Sequence, residues 1–465
     1  MTAGGPPTGG PPPGRRASRP VATLILLLVA ALAVAGLLLG SRRGQPAGVA
    51  VAPGTSRAGG APTTTRAPAT GRPPRTPAAV RAVQAGVAEL RGLRFQRRVP
   101  VIVESPARLS RRLLRTLAGE TNEQDLARQG HAMELLGQLP QGTDLPRLLR
   151  GIQAESVLGF YVPGRPPKGR LYVRSTRGLD PYTRVVLAHE LTHAVTDQHY
   201  DLTRSDRLAA ATGRDDEQAA YAGLVEGDAT LTMQRYLSER LSPAEQAEAG
   251  RVASGQRTPR RDAAPAAIRQ SMLFPYQEGL LFVRILFQQG GWAAVNRAYR
   301  DPPTSTEQLL HPERYLGRRD RPQAVAVPDL SGRLGGGWRP ATELGFGEFD
   351  TRLLLQGGMA VTAAEAAGQG WDGGRLRTFE REGRTALVLR TAWDSAAEAE
   401  QYCAAMARWA NARYGRAPTR AAGGVGRWSG LGQQAALVCG GARAAWLSAP
   451  DRVGLERLLD ALGGP

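Results

Sequence analysis

The stretch DPYTRVVLAHELTHAVTDQHY, residues 180–200, contains His189, Glu190 and His193 in the pattern H-E-x-x-H. Residues four apart lie on the same face of an α-helix, so both imidazoles can reach one metal ion. Glu190, next to His189 in the sequence, can then approach a water molecule at that ion. The pattern is typical of zinc hydrolases.

The residues around this motif predict a helix inside the protein. Asp180 is a good N-cap, Pro181 suits the first helical position, and no further Pro or Gly interrupts the stretch to Tyr200. Apolar side chains cover most of the helix circumference: Val185, Val186, Leu187, Ala188, Leu191, Ala194 and Val195. A helix that is apolar on most of its faces is buried, so we expect the two histidines in the interior as well.

A catalytic zinc ion usually has three protein ligands and an open position for water, so a third ligand is expected. Residues 215–240 predict a second long helix, with Glu226 near its middle. The neighbours of Glu226 on its own face are all small: Ala222, Gly223, Ala229 and Thr230. Small residues let two helices approach closely, so Glu226 is the predicted third ligand.

Other polar residues near these helices remain as alternatives or helpers. Glu217 lies near the start of the second helix, and Asp228 lies about 200° around it from Glu226. Thr230 and Asp197 each follow a predicted ligand by one turn, where a side chain can hydrogen-bond a ligand. His199 lies about 240° around the first helix from His193, so it cannot share the metal.

The sequence HELTHAVTD, residues 189–197, resembles the zinc helix of thermolysin-type metalloproteases, the gluzincins. In that family a Glu on a following helix is the third metal ligand. The resemblance implies that Glu226 has this role here. This chain departs from the family in spacing, because Glu226 follows His193 by 33 residues, and in having Thr230 where the family has Asp. Together with VEGDAT, residues 225–230, the motif also resembles a group of uncharacterised bacterial membrane-anchored proteins classed as zinc proteases.

Charge and composition argue against a nucleic-acid partner. The 465 residues carry a net charge of +19, but residues 1–78 contain nine arginines and no acidic residue, so much of the excess lies outside the predicted folded part. Lys168 is the single lysine beside 59 arginines. Together with the abundant Ala, Gly and Pro, this ratio indicates the codon usage of a GC-rich genome rather than a nucleic-acid site. No basic cluster interleaved with aromatic residues is present.

The first 78 residues predict an anchored protein. Residues 1–20 are rich in Pro and Gly and predict a disordered cytoplasmic tail. Residues 21–40 are uncharged and mostly aliphatic, long enough for a transmembrane helix in the lipid bilayer. A cleaved signal peptide is the alternative, but its best cleavage site, at residues 33–35, falls inside the apolar run. The short basic N-terminus favours an extracytoplasmic position for the rest of the chain.

Residues 41–78 consist of Pro, Ala, Gly, Thr, Arg and other small residues and predict a disordered linker. The arginines of this linker can bind anionic lipids or cell-wall polymers. An inert tether explains the composition of the linker equally well.

Residues 79–324 predict a mainly helical, zincin-like catalytic domain with a small sheet. Its strands are expected near residues 98–104, 156–163 and 169–175. In zinc proteases of this build a strand shortly before the metal helix pairs with extended substrate, and exposed strand edges bind peptide backbone. The last of the three strands is therefore a candidate substrate edge, or else part of the core sheet.

Residues 274–315 predict further helices and candidates for oxyanion stabilisation. One helix runs to Gln289, Gly290 and Gly291 interrupt it, and a short helix with a capping box of Thr304 and Glu307 follows. Peptide hydrolysis needs a group that stabilises the tetrahedral oxyanion beside the metal. The candidates are, in order of preference, His311 and then Tyr315 or Tyr276.

Residues 325–465 predict a compact C-terminal α+β domain with the order ββαββα. Glu382 and Gly383 mark the turn of a hairpin, and the segment shows no catalytic grouping. Cys403 and Cys439 are the only cysteines of the chain. Outside the cytoplasm they can form a disulfide; two buried thiols remain the alternative.

These patterns predict an α+β, membrane-anchored zinc metallopeptidase that acts on protein or peptide substrates. His189, His193 and Glu226 are the predicted Zn²⁺ ligands, and Glu190 is the predicted general base. Two alternatives remain open: a membrane-tethered scaffold that has lost turnover, and a zinc amidase that acts on cell-wall peptides. The intact Glu190 argues against the scaffold, because a scaffold needs no general base.

Overall fold

The computed structural model describes residues 78–118, 122–164, 169–175, 179–420 and 425–463. The predicted tail and transmembrane segment, and the linker up to residue 77, lie outside these ranges. Within them, no helix combines the length and the apolar composition that crossing a bilayer requires.

The described residues up to Leu316 form many helices and three short strands. In chain order they are α1 (Ala78–Arg91), β1 (Val101–Glu104), α2 (Pro106–Ala118), α3 (Glu123–Leu135), α4 (Leu145–Ser156), β2 (Gly159–Val162), β3 (Arg170–Arg174), α5 (Pro181–Tyr200), α6 (Arg204–Ala209), α7 (Asp215–Arg240), α8 (Pro243–Ser254), α9 (Pro259–Asp262), α10 (Ala266–Arg300), α11 (Glu307–Leu310) and α12 (Pro312–Leu316).

The remaining residues build a sheet with flanking helices. In chain order they are α13 (Ser331–Leu334), β4 (Arg339–Gly345), α14 (Glu348–Leu355), α15 (Val361–Gly368), β5 (Trp371–Arg381), β6 (Arg384–Trp393), α16 (Ala396–Tyr414), β7 (Thr419–Arg420), β8 (Gly426–Gly430), β9 (Gln433–Gly440), β10 (Arg443–Ala449) and α17 (Arg452–Leu462). The chain is therefore a mixed helix-and-sheet protein, as predicted.

The two central helices of the prediction are confirmed to the residue. α5 begins after Asp180, whose side chain accepts a hydrogen bond from the Thr183 N–H, and it ends at Tyr200, where Asp201 adopts a left-handed conformation. α7 runs from Asp215 to Arg240. Both helices are buried over most of their length, because α5 packs against α7 and the three-stranded sheet, and α7 packs against α5 and α10.

The three-stranded sheet has the order β1-β3-β2, with β1 parallel to β3 and β2 antiparallel to it. The strand predicted as a candidate substrate edge, residues 169–175, corresponds to β3 and lies in the centre of the sheet. That candidate is wrong because β1, distant in sequence, pairs along the second side of β3. β2 is the edge strand beside the metal helix, and its residues Gly159, Phe160 and Tyr161 are buried.

α7 and α10 cross at very short distance. Gly223 and Gly227 on α7 face Gly279 on α10, and a Cβ atom on Gly227 or Gly279 would overlap a backbone carbonyl of the other helix. Residues without a Cβ atom are needed for two backbones to approach so closely. This crossing fixes the position of Glu226, the residue before Gly227.

A fully buried ion pair joins the helices on another side of α7. The Arg91 Nε atom at the end of α1 lies 2.6 Å from an Asp228 oxygen, with both side chains completely buried. The Tyr299 hydroxyl of α10 donates to Asp228 at 2.9 Å, and the Thr196 hydroxyl of α5 does so at 3.3 Å. Asp228 thus connects four helices two residues from Glu226.

α10 differs in part from the prediction. It begins at Ala266, before the predicted start at residue 274, and includes Pro275. The predicted break is confirmed, since Gly290 and Gly291 have non-helical backbone angles.

The predicted capping box of Thr304 and Glu307 is wrong. α11 begins at Glu307 without a side-chain cap, and the main-chain N–H of Thr304 bonds the Gln308 side chain. Long-range pairing decides this region, because the Thr306 hydroxyl donates to Asp216 of α7 at 2.6 Å.

The C-terminal sheet contains seven strands, in the order β4-β5-β6-β10-β9-β8-β7. The predicted hairpin at Glu382 and Gly383 is confirmed, with φ values of 51° and 74° at the two turn residues. Cys403 on α16 and Cys439 on β9 form a disulfide. The predicted ββαββα order lacks β4, the short strand β7 and the three helices α13, α14 and α15.

Candidate metal centre

The side chains of His189, His193 and Glu226 converge on one point between α5 and α7. The Nε2 atom of His189 lies 3.1 Å from Oε2 of Glu226 and 3.1 Å from Nε2 of His193. The Nε2 atom of His193 lies 3.5 Å from the same Glu226 oxygen. The structure therefore brings together the three predicted ligands.

The cluster is deeply buried. The side chain of His189 is 1% exposed, that of Glu226 is 2% exposed, and that of His193 is 11% exposed. The four-residue spacing places the two histidines on one face of α5. The close α7–α10 crossing positions Glu226 beside them. Among the three side chains, His193 is therefore the most exposed to solvent.

Charges within the cluster are strongly coupled. Burial alone lowers the pKa of His193, but the carboxylates of Glu226 and Glu190 overcome this and raise it to about 9. Burial raises the pKa of Glu226, but the two histidines outweigh it and lower it to about 2. Burial lowers the pKa of His189. The negative charge of Glu226 and a positive charge on His193 thus stabilise each other.

Glu190 lies beside the cluster against β2. Burial raises the pKa of its carboxyl to about 8, although the nearby His193 and the main-chain N–H of Tyr161 oppose this. A Cβ atom on Gly159 would lie 3.1 Å from Cγ of Glu190, so β2 passes very close to this side chain. Sequence analysis missed both contacts; the glycine inside a short strand pattern was the available signal.

Tyr276 is the oxyanion candidate that the structure places near the cluster. Its ring lies roughly parallel to that of His189, with centroids 6.1 Å apart, and the residue is buried. His311 instead has its Nε2 atom 3.1 Å from a Glu348 oxygen, and the Arg352 guanidinium also contacts it. The Tyr315 hydroxyl donates to the main-chain oxygen of Asp301. The structure therefore does not bring His311 or Tyr315 to the cluster.

Asp197 and Thr230 were predicted to hydrogen-bond the metal ligands, and the structure shows no such bond for either residue among the described residues. Asp197 accepts hydrogen bonds from the Tyr161 hydroxyl and from the main-chain N–H groups of Gly164 and Leu202, so it fastens β2 to the end of α5. Thr230 Oγ1 is buried without a hydrogen-bond partner among the described residues, and so is Nδ1 of His189.

The alternative ligands on α7 are occupied elsewhere. Asp228 pairs with Arg91, and Glu217 pairs with Arg214. His199 bonds the main-chain oxygen of Arg94, away from the metal cluster.

The donor set fits a metal ion of the zinc type. Two imidazole nitrogens and one carboxylate oxygen are a ligand combination that zinc uses in catalytic sites, and the three donor atoms already lie within 3.5 Å of one another. A second acidic group, Glu307, Asp320 and Asp394, also lies close together. Arg314 forms ion pairs with all three, so this group already has its cation.

Comparison with known proteins adds little at the metal cluster. A family profile described as a domain of unknown function, DUF8575, matches residues 339–459, which form the C-terminal sheet with its helices and contain none of the cluster residues. No curated protein sequence matches the chain. Among solved structures, the chain is similar to a crystal structure of a proposed hydrolase with a novel fold from Chloroflexus aurantiacus. The identity is 19% and the TM-score 0.35, over 53% of this chain and 89% of that one.

Proposed function

We propose that this chain is a zinc-dependent metallopeptidase, anchored by residues 21–40 with its catalytic part outside the cytoplasm. The observation that carries the proposal is the convergence of His189, His193 and Glu226, with Glu190 next to them on α5. Zinc held there would supply Lewis acidity that activates water and polarises a carbonyl group.

The carboxylate of Glu190 would take a proton from the attacking water and pass it to the leaving amine. This role needs a carboxyl group whose pKa lies near the operating pH, and burial raises the pKa of Glu190 in that direction. The N–H of Tyr161 and the close backbone at Gly159 fix the orientation of the side chain.

The outer edge of β2, which pairs with no second strand among the described residues, is suited to bind an extended peptide. The oxygens of Leu158 and Val162 accept hydrogen bonds from the chain at β3, so these alternate residues face the sheet. Gly159 and Tyr161 therefore direct their main-chain groups to the other side, where Glu190 accepts a hydrogen bond from the Tyr161 N–H. A peptide paired with this edge would have its backbone beside the metal cluster.

The test combines metal content with activity on the purified full-length chain. We expect about one zinc ion per chain and cleavage of unfolded casein that a chelator abolishes. Glu226→Ala should lose most of the zinc, because it removes one of three ligands. Glu217→Ala, on the same helix but outside the cluster, should retain both properties.

Glu190→Gln separates catalysis from metal binding. It should retain zinc and lose casein cleavage by about a factor of 10³, because the proton acceptor is gone. Full activity of a folded, zinc-loaded Glu190→Gln variant would refute the proposed mechanism. A folded wild-type chain without zinc would refute the metal site itself.

The deep burial of His189 and Glu226 favours one alternative, a zincin-like domain that binds metal without turnover. Zinc binding together with no cleavage of casein or of cell-wall peptides would support this alternative. Cleavage of cell-wall peptides alone would identify a zinc amidase.

A further inference from the structure

A cavity of about 160 Å³ lies between α3, α7, α10 and the start of the C-terminal sheet. Its walls are mostly apolar and include the aromatic rings of Phe274, Phe346 and Phe349. The rings of Phe274 and Phe349 pack with centroids 4.1 Å apart. A cavity of about 150 Å³ holds a benzene-sized group, so this one is large enough for a long side chain.

Two carboxyl groups, Asp215 and Asp350, face this apolar cavity. One oxygen of Asp215 accepts from the Gly345 N–H at 2.7 Å, and one oxygen of Asp350 accepts from the Gly347 N–H at 3.0 Å. Neither carboxylate forms an ion pair within the described ranges, and no described lining residue is Lys, Arg or His. The cavity therefore combines negative groups with apolar walls and contains no positive group of its own.

We infer that this cavity binds a basic side chain of the substrate, an ammonium or guanidinium group on an apolar stem. The stem of Arg or Lys packs on apolar walls while its charged end meets a carboxylate. That this cation belongs to a peptide substrate rests on the proposed peptidase function.

The position of the cavity relative to the metal cluster supports a substrate role. Asp215, Ala219, Ala222 and Glu226 follow one another at helical spacing on a single face of α7. Ala222 lines the cavity one turn before Glu226, and Pro275 lines it next to Tyr276. Asp215 precedes Glu226 by eleven residues, roughly 16 Å along the helix. An extended peptide covers this distance in about five residues.

Binding of a cation should strengthen as the pH rises. Burial raises the pKa of Asp215 to about 7 and that of Asp350 to about 6. A cation is bound by the ionised carboxylates, so its affinity should increase between pH 5 and pH 8. The other charged groups nearby are Asp216 on α7, Glu348 on α14 and Arg375 on β5.

The first experiment measures binding directly and needs no catalysis. Benzamidine, an aromatic cation of suitable size, is titrated calorimetrically into the full-length chain, with neutral benzamide for comparison. We expect benzamidine to bind and Asp350→Asn to weaken it by about 10- to 100-fold, the effect of losing a charge-assisted hydrogen bond. Asn at this position keeps an acceptor for the Gly347 N–H.

Two further variants make this test decisive. Ala219→Leu fills the cavity without changing charge and should abolish binding. Asp460→Asn, on the exposed surface of α17, should leave the affinity unchanged. Equal affinities of benzamidine and benzamide, or no binding by a folded wild-type chain, would overturn the inference.

The second experiment maps the cleavage sites in unfolded casein by mass spectrometry. We expect Arg or Lys to be enriched at one position within about five residues of the cut bond, and Asp350→Asn to remove this enrichment. Casein cleavage without enrichment would overturn the substrate role of the cavity and leave the peptidase proposal intact. Benzamidine binding in a chain that cleaves nothing would support the cation site and count against the peptidase.

Discussion

Tyr276 and His311 show how position, rather than residue type, decides which side chain can act. Tyr276 packs beside His189, whereas His311 is held by Glu348 and Arg352. We propose that the Tyr276 hydroxyl donates to the developing oxyanion; loss of one such donor typically costs a factor of about 10²–10³ in kcat.

Tyr276→Phe should therefore lower kcat by about 10²-fold, with KM and zinc content nearly unchanged. His311→Asn and Tyr315→Phe are the matched controls, and both should keep kcat within a few-fold. Steady-state kinetics on casein-derived peptides, combined with zinc analysis, would check this. An equal loss of kcat in all three variants would contradict the assignment of Tyr276.

Asp216 predicts an unusual pH dependence of stability. The residue is 7% exposed, and burial raises the pKa of its carboxyl to about 7, against hydrogen bonds from Thr306 that lower it. Between the unfolded pKa, about 4, and this value, the folded chain holds more protons than the unfolded chain. The contribution of Asp216 to the free energy of unfolding is therefore present at acid pH and is lost as the pH rises toward 7.

Asp216→Asn should gain stability relative to the wild type as the pH rises from 5 to 7, by about 1.4 kcal/mol per pH unit at most. The measurement is urea unfolding at both pH values. Asp460→Asn, which is exposed, is the control, and its difference from the wild type should not change with pH. A constant difference for Asp216→Asn would show that its carboxyl is ionised throughout.

Helix boundaries were predictable where local residues supply the signal. Asp180, Ser395 and Asp451 each cap the helix that follows, and all three accept a hydrogen bond from a main-chain N–H of the first turn. The start of α11 was mispredicted because Thr306 bonds a residue of α7, a contact between distant parts of the chain. Local patterns cannot contain such information.

The α7–α10 crossing reverses the usual effect of a glycine substitution. A glycine inside a helix normally lowers the free energy of unfolding by about 1 kcal/mol relative to alanine. Gly227→Ala or Gly279→Ala should instead destabilise the protein by about 3 kcal/mol, because the added methyl group meets backbone atoms.

Both substitutions should also reduce zinc content, since the helix that carries Glu226 has to move. Gly332→Ala on α13, where nothing lies within 4 Å of the added atom, is the control and should be nearly neutral. Urea unfolding and metal analysis would check this. Unchanged stability of Gly227→Ala would mean that the two helices adjust without cost.

At the scale of the whole molecule, the sequence predicted two folded parts but not how they share a core. Ala132 and Leu136, in and after α3, pack in one hydrophobic cluster with Trp371, Trp409 and other residues of the C-terminal sheet. The order of both sheets was also beyond prediction, because strand pairing depends on contacts between segments far apart in sequence. The proximity of His189 and His193 was predictable because helical spacing determines it locally, whereas Glu226 was inferred from its residue type and its small neighbours.

The disulfide provides a test of how independent the C-terminal part is. The two cysteines are 36 residues apart, and closing a loop of that size stabilises a fold by about 3–4 kcal/mol. Replacement of both Cys403 and Cys439 by Ala should lower the free energy of unfolding by about 3–4 kcal/mol and leave the zinc content unchanged. Thermal unfolding and zinc analysis of the double variant would check this, and loss of zinc would show that the sheet supports the metal cluster.

The buried contact between Arg91 and Asp228 limits how far the chain can be shortened. In sequence, α1 is the first helix after the predicted linker, and a fragment that omits it would still contain all three predicted ligands. Its last residue, however, supplies the cation for a carboxylate that is wholly enclosed between helices. Removing one partner of such a pair costs about 3–5 kcal/mol. A soluble fragment for crystallisation should therefore begin before Ala78, because one beginning after Arg91 would keep every metal ligand and still fail to hold them in place.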